Sequence, residues 1–149
     1  MNAFAARFLY ALDSPLPPKV VLAYVQALVS VARANGIVES ELSIIQGVAE
    51  ILGAPSRTVS RVLADKDPGV FDRALAVLVP HPRLRCMIYR DAVLVMRADG
   101  RVSVEEKALL MRLSTQLGLT RDQRIEASLA ADVVQEVEAS MRALADGSP

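Results

Sequence analysis

The chain has 149 residues, of which 52% are hydrophobic and only 4% aromatic, so it can form one domain with a sizeable core. Lysine and arginine together number 17, as do aspartate and glutamate, so the formal net charge is zero. A net positive charge that would attract nucleic acid or anionic lipid is therefore excluded. The single cysteine, Cys86, excludes an internal disulfide and is compatible with a reducing cytoplasm. No signal peptide is recognisable, and the longest apolar run, near 20–34, is interrupted by polar residues, so we expect a cytoplasmic protein without stable membrane insertion.

The first half of the chain predicts five helices. Phe4, Phe8 and Leu12 share a face of a helix over 3–12, which we expect to dock on the rest of the chain, a membrane-surface or partner-docking role being the alternative. Three prolines at 15, 17 and 18 end this helix and begin a second one. The remaining bounds follow from glycine and proline positions: the second helix runs to about 34, the third covers about 40–52, the fourth 56–64, and the fifth runs from 68 to just before Pro80.

The second half predicts four more helices after the break at Pro80-His81-Pro82. One runs from 82 to about 98 and turns at Asp99-Gly100, and capping boxes beginning at Ser103 and Thr120 start the next two. Asp132 has the features of an N-cap for a last helix to about 145, followed by a frayed tail over 146–149. Because no segment alternates like a strand, the sequence predicts an all-α bundle of about eight to nine helices.

The two halves repeat one another. Arg33-Ala34-Asn35-Gly36 corresponds to Arg97-Ala98-Asp99-Gly100, 64 positions later, and Glu41 corresponds to Glu106 after a one-residue insertion. Hydrophobic phase, glycine and glutamate recur together, which favours a true repeat over chance in an alanine-rich chain. The predicted organisation is therefore one domain over 1–149 with an internal pseudo-two-fold repeat, its first unit over 18–79 (most evident from about 20) and its second over 82–145.

The second of these turns resembles a known family. Ala98-Asp99-Gly100-Arg101-Val102, followed by Glu105 and Glu106 and preceded by an apolar helix with Asp91, is similar to the TerB-like superfamily. That superfamily includes tellurite-resistance TerB proteins and an N-terminal domain of certain membrane-anchored DnaJ-type co-chaperones. The resemblance covers roughly 20–130 and implies an all-helical bacterial cytoplasmic domain of stress, metal or envelope-associated systems, generally without a defined reaction. No J-domain or membrane anchor accompanies it, so we expect no co-chaperone role.

A degenerate copy of the same pattern lies in the first repeat. It consists of Ala34-Asn35-Gly36-Ile37-Val38 with Glu39 and Glu41. Asn35 stands where the second copy has an aspartate. This departure argues against two equivalent acidic sites and makes Asn35, Glu39 and Glu41 a degenerate first-repeat site.

The acidic turn itself is a candidate metal site formed by Asp99, Glu105 and Glu106. The spacing of Asp99 and Glu106 equals positions five and twelve of an EF-hand loop, but Val95 and Arg97 occupy the places of ligands one and three. A complete EF-hand is therefore not expected. One interpretation is a weakly bound divalent cation held with water. The other is structural, with the turn closing one helix while the glutamates complement the positive start of the next.

Asp91 is the second candidate, because it falls within the apolar stripe of its helix. A carboxylate there is expected to be partly buried and to need a partner. One interpretation is a structural pair with an arginine such as Arg97 or Arg124. The other places Asp91 in a groove between the repeats, as a ligand or as the general base of an enzyme.

No other constellation points to catalysis, since His81 is the only histidine and no nucleophile-elbow or phosphate-loop pattern occurs. We therefore expect a non-enzymatic cytoplasmic binding or regulatory module that presents its acidic turn to a protein partner or a cation. The alternatives are a divalent-metal sensor or buffer and an enzyme using Asp91. A homodimer formed through exposed apolar surface is also considered, whereas nucleic-acid binding is not expected.

Overall fold

In a computed structural model that describes residues 1–34 and 36–147, the chain is all-helical, with no strand among those residues. This confirms the predicted all-α bundle. Within that part of the chain, no helix is both long and apolar enough to cross a membrane. In chain order the helices are α1 (Ala3–Tyr10), α2 (Pro18–Arg33), α3 (Glu39–Leu52), α4 (Thr58–Ala64), α5 (Val70–Leu78), α6 (Pro82–Arg97), α7 (Val104–Gln116) and α8 (Arg121–Ala145).

The centre of the bundle is formed by α2 and α6, each 16 residues long. Ten residues of α2 are buried, because this helix packs against α3, α4, α5, α6 and α7. Nine residues of α6 are buried between α2, α3, α7 and α8. Fully buried side chains such as Leu28 and Ile88 each contribute roughly 1.5–3 kcal/mol of hydrophobic stabilisation. The two helices that precede the repeated turns are therefore the helices that organise the core.

Each central helix ends in a similar turn. Gly36 and Gly100 adopt positive φ angles of 78° and 75°, a conformation that costs other residues about 1–2 kcal/mol. After these glycines, α3 begins at Glu39 and α7 at Val104. Asn35 lies outside the described residues, as does the end of the predicted tail at 148–149.

The prediction of two separate helices after Thr120 is wrong, because α8 runs unbroken through Asp132. No glycine or proline lies between 121 and 145, and an aspartate inside a helix costs only about 0.7 kcal/mol relative to alanine. In the first repeat the equivalent segment does break. There the Asp67 carboxylate accepts the N–H of Gly69 at 2.8 Å, which forms a turn and delays α5 to Val70.

The first helix docks on the bundle through an unexpected face. Ala6 and Tyr10 of α1 are buried, whereas Phe4 and Phe8 are 81% and 70% exposed and stack on one another. The helix is also shorter than predicted and ends at Tyr10, after which Ala11 turns with a φ of 53°. Tyr10 points inward because its hydroxyl has a buried partner on α6, which neither phenylalanine can use.

Candidate functional site

The turn before α7 is built around a reciprocal cap. The Ser103 hydroxyl accepts the N–H of Glu106 at 3.0 Å, and Oε1 of Glu106 accepts the N–H of Ser103 at 3.1 Å. These bonds satisfy two N–H groups that the first turn of a helix leaves without partners. Glu106 is therefore only 4% exposed, and one of its oxygens serves the backbone.

The turn before α3 has an equivalent glutamate, Glu41, but no serine hydroxyl. Oε1 of Glu41 accepts the N–H of Val38 at 3.1 Å, and Glu41 is 2% exposed. Val38 has no side-chain oxygen, so only half of the reciprocal cap is available here. The equivalent glutamates of the two repeats thus lie beneath the surface in matching positions.

The two turns lie close enough for their charges to interact. Burial raises the pKa of the Glu41 carboxyl; the bond from the Val38 N–H opposes that rise, and the carboxylates of Glu106 and Asp99 add to it. Glu41 comes from the first repeat, whereas the other two come from the second. The fold therefore brings Glu41 of α3 near acidic groups in and after the turn that follows α6.

The same two turns and the helix starts that follow them also carry Glu39, Asp99 and Glu105, all exposed. We call these three residues, with the buried Glu41 and Glu106, the acidic rim. One oxygen of Asp99 accepts the N–H of Arg101 at 2.9 Å. Within residues 1–34 and 36–147, no ion pair involves any member of the rim, so its negative charge is not neutralised by a salt bridge.

The same part of the chain contains no group of three His, Cys, Asp or Glu side chains placed to hold a metal ion. Asp99, Glu105 and Glu106, the candidate ligands from the sequence, share a turn without forming such a group. The capping bond of Glu106 and the turn bond of Asp99 explain this, since each directs a carboxylate oxygen at the backbone. Any cation at this turn would rely largely on water for its coordination.

Asp91 is 1% exposed and fully engaged. Its Oδ2 accepts hydrogen bonds from the hydroxyls of Tyr10 and Tyr24 at 2.7 and 2.6 Å. Its Oδ1 accepts a hydrogen bond from the Nε–H of Arg90 at 3.0 Å. Burial raises the pKa of both tyrosines well above the usual value, and the charge of Asp91 raises it further. The cluster joins α1, α2 and α6, an arrangement that favours the structural interpretation of Asp91.

Arg90 supplies the positive charge of this cluster. Burial alone lowers the pKa of Arg90, but the adjacent Asp91 carboxylate and its hydrogen bond raise it above the usual value. The guanidinium lies 4.9 Å from the centre of the Tyr10 ring and donates to the carbonyl of Leu9, which ties it to the end of α1. Arg90 is thus held in the charged form.

The expected pairing of Asp91 with Arg97 is not found. Arg97 pairs with Asp132 of α8, and Arg124 donates to the hydroxyl of Ser114. Arg97 lies at the end of α6, on a part of the helix that faces α8 rather than α1. The counterpart of Arg97 in the first half of the chain is Arg33, which donates to backbone carbonyls at the end of α4.

Comparison of the fold relates this arrangement to a solved structure. No family model and no curated protein matches the sequence. The structure is similar to the crystal structure of a tellurite resistance protein from Nostoc punctiforme, with a TM-score of 0.78 over 99% of this chain and 93% of that chain. The chain has a TerB-like fold. At 14% sequence identity the likeness concerns the fold alone, and at that level it confirms the resemblance seen in the acidic turn.

Several features of this TerB-like fold were not predicted from the sequence. The tyrosine partners of Asp91 lie 81 and 67 positions away, and the only available signal was that a buried carboxylate needs donors. A largely apolar surface groove of about 690 Å³ beside α2, lined in part by Leu16, Leu22 and Leu52, has no motif that marks it. Long-range packing, rather than local spacing, creates both features.

Proposed function

We propose that this protein is a non-enzymatic binding module of a bacterial stress response that presents the acidic rim to a basic segment of a cytoplasmic partner protein. The observation that carries the proposal is the convergence of Glu41, Glu106 and Asp99 from two repeats into one unneutralised group. The assignment to a stress response is supported by the similar fold of a tellurite resistance protein.

The electrostatics of the rim favour a positively charged ligand. Like charges held near one another destabilise their ionised forms, which is why the pKa of Glu41 is raised partly by Glu106 and Asp99. Lysine or arginine side chains placed over Glu39, Asp99 and Glu105 would relieve this repulsion and speed the encounter of the two proteins. Because those three residues are exposed, we expect the interaction to weaken as salt is added.

A divalent cation is the competing ligand. Magnesium and calcium bind carboxylate oxygens, and magnesium in particular keeps several waters when a protein offers only one or two carboxylates. The described residues provide no three-ligand group at the rim, so a protein partner is better supported than a metal sensor or buffer.

An enzyme that uses Asp91 as a base is the least supported alternative. A general base must reach the proton that it abstracts. Asp91 is 1% exposed, and both of its oxygens already accept hydrogen bonds from Tyr10, Tyr24 and Arg90. We therefore propose a structural role for Asp91 and no catalytic role.

The test is calorimetric titration of the protein with a short lysine-rich peptide. The variant Asp99→Asn/Glu105→Gln/Glu106→Gln removes three rim charges, and Gln at 106 retains the acceptor of the cap. We expect it to bind about fivefold more weakly, since the exposed Asp99 and Glu105 would each lose a surface ion pair worth about 0.5 kcal/mol. The control Glu50→Gln/Asp122→Asn/Glu136→Gln changes the charge equally at exposed carboxylates elsewhere and should bind like the wild type.

A parallel thermal melt separates the two ligands. Metal-stripped protein is heated with calcium, magnesium, manganese or zinc, because a ligand that binds only the folded state raises its stability. Saturable stabilisation by one cation, lost in the rim variant, would replace the protein partner with a metal ion. If neither the peptide nor any cation discriminates the rim variant from its control, the proposed function is wrong.

A further inference from the structure

The outer face of α8 carries a continuous row of apolar side chains that nothing in the described chain covers. Only Ala127 and Ala131 of this 25-residue helix are buried. The apolar residues of the row are between 41% and 72% exposed. Their spacing is four residues, and three at the last step; they are Ile125, Leu129, Val133, Val137, Met141 and Leu144, here called the α8 ridge.

Rows with a spacing of four are a standard element of helix packing. Such a ridge inclines about 26° to the helix axis and fits between the ridges of a second helix that crosses at about −50°. The α8 ridge extends from Ile125 to Leu144, about 29 Å at 1.5 Å per residue. Apolar patches of this extent mark interaction sites on soluble proteins.

We propose that the α8 ridge is a dimer interface and that its occupant is the α8 ridge of a second copy, in antiparallel orientation. A two-fold axis near residue 135 brings Val133 against Val137 of the second copy, and Leu129 against Met141 of the second copy. The smaller valines then lie at the crossing point, where helices approach most closely. The longer Leu, Met, Ile and Leu side chains lie toward the ends, where crossing helices diverge.

Charge supports the antiparallel orientation. Glu126 and Arg142 each follow a ridge residue directly, so they flank the ridge on the same side at opposite ends. An antiparallel pair brings Glu126 near Arg142 of the second copy, twice by symmetry, where it would join the ion pair that Arg142 makes with Glu138 of its own helix at 2.6 Å. A parallel two-fold pair would put the two copies of each charge on opposite sides of the seam, so neither Glu126 nor Arg142 would meet the other across the interface.

The size of the contact predicts a weak dimer. Specific, stable interfaces bury roughly 1,200–2,000 Å², more than two single helices that diverge from a crossing point can cover. We therefore expect a dissociation constant of about micromolar. The ridge contains no residue of the acidic rim, so this inference does not depend on the proposed function.

Sedimentation equilibrium of the whole chain at increasing concentration tests the interface. We expect a monomer–dimer equilibrium that Val133→Glu weakens at least about a hundredfold, because the charge would lie at the centre of a closed contact. Val133 is 56% exposed in the monomer, so the thermal melt at low concentration should stay unchanged. Val79→Glu, which alters an exposed valine at the end of α5, is the matched control and should dimerise normally.

A charge exchange tests the orientation. Glu126→Arg should weaken the dimer by bringing two arginines together, and the double variant Glu126→Arg/Arg142→Glu should restore it. A protein that stays monomeric at every concentration would show that a second copy is not the occupant. A dimer insensitive to Val133→Glu, or one not restored by the charge exchange, would likewise overturn the proposal.

Discussion

The carboxylate of Asp91 accepts three hydrogen bonds in a site that is 1% exposed, beside an arginine that is 7% exposed. Burying a charge is costly unless it is paired and hydrogen-bonded, and here each group satisfies the other. The two tyrosine hydroxyls complete the shell of the carboxylate, and the Leu9 carbonyl accepts another N–H of Arg90. The cluster is complete only when α1, α2 and α6 are all in place.

Replacing Asp91 should destabilise the fold more than replacing either tyrosine. Asp91→Asn leaves the buried charge of Arg90 without its counter-ion, so we expect a loss of about 3–5 kcal/mol. Tyr24→Phe removes one hydrogen bond to a charged group and should cost about 1.5–3 kcal/mol. Urea unfolding monitored by circular dichroism measures both losses, and an Asp91→Asn variant that is the more stable of the two would contradict this account.

The tyrosines of the cluster also predict an alkaline loss of stability. Their pKa values in the folded protein lie well above the usual value for tyrosine, so above about pH 10 the unfolded chain releases protons that the folded chain retains. The free energy of unfolding is therefore unaffected by these groups below about pH 10 and falls as the pH rises toward their folded pKa values. Two such groups give a slope of up to about 2.7 kcal/mol per pH unit.

The variant Tyr10→Phe/Tyr24→Phe provides the comparison for that slope. It starts less stable at pH 8, but it lacks both titrating groups, so its unfolding free energy should fall less steeply between pH 10 and 11.5. Denaturant unfolding across this range gives both curves. Parallel curves would mean that the two hydroxyls titrate alike in the folded and unfolded chains.

Burial of Asp91 was predictable at the scale of single residues, whereas its partners were not. The helical period places Asp91 in the apolar stripe of α6. The period says nothing about which distant side chain fills the space opposite. Arg97 was expected because it is close in sequence, yet Tyr10 and Tyr24 reach the carboxylate only because α1 and α2 pack on the same face of α6.

At the scale of elements, the first role of Glu41 and Glu106 is to cap the helices that they begin. Each accepts a backbone N–H at the start of its helix and is buried for that reason. Helix bounds near these caps were well predicted, because glycine and capping residues are local signals. The bounds failed at α8, where Asp132 has capping chemistry but no residue breaks the helix before it.

The capping role can be separated from the charge by two substitutions of Glu41. Glu41→Gln retains an acceptor for the Val38 N–H and should leave stability at pH 7 nearly unchanged or slightly raised. Glu41→Ala removes the acceptor and should cost about 1 kcal/mol. Thermal unfolding of the two variants under the same conditions distinguishes them, and equal losses would show that the cap is unimportant.

The same residue predicts a change with pH on the acidic side. The folded pKa of Glu41 lies above the usual pKa of a glutamate, about 4.5, so between these two pKa values the folded chain binds more protons than the unfolded chain. The contribution of Glu41 to the free energy of unfolding is present below pH 4.5 and is lost as the pH rises through its folded pKa. Glu41→Gln cannot titrate, so it should remove this dependence of stability on pH. Measurements of the unfolding free energy between pH 4 and 7 will detect the difference from the wild type.

At the scale of the whole molecule, helical periodicity made the class of fold predictable and left the composition of the site open. The spacing of apolar residues indicates helices, and glycine and proline indicate where the helices end. The recurrence of one turn in the sequence indicates that the helices on either side of it pair in similar ways. The sequence places Asp99 and Glu106 in one turn. That Glu41 from the other repeat approaches them depends on how the central helices pack, which no local pattern encodes.

Self-association through α8 predicts that thermal stability depends on protein concentration. A dimer formed only by folded chains shifts the unfolding equilibrium by mass action. The melting temperature of the wild type should therefore rise with concentration across the micromolar range, whereas that of Val133→Glu should not. Differential scanning calorimetry at several concentrations measures this, and a constant melting temperature for the wild type would contradict the dimer.

The tie between α1 and α6 also has a consequence for biosynthesis. Tyr10 and its acceptor Asp91 are 81 positions apart, so at roughly 5–20 residues per second the ribosome adds the acceptor about 4–16 s after the tyrosine. During that interval α1 can already pack on α3, where the Asn2 N–H donates to the Ile51 carbonyl at 3.2 Å, but the Tyr10 hydroxyl has no carboxylate to accept it. The first helix therefore completes its buried hydrogen bonds only after synthesis reaches α6.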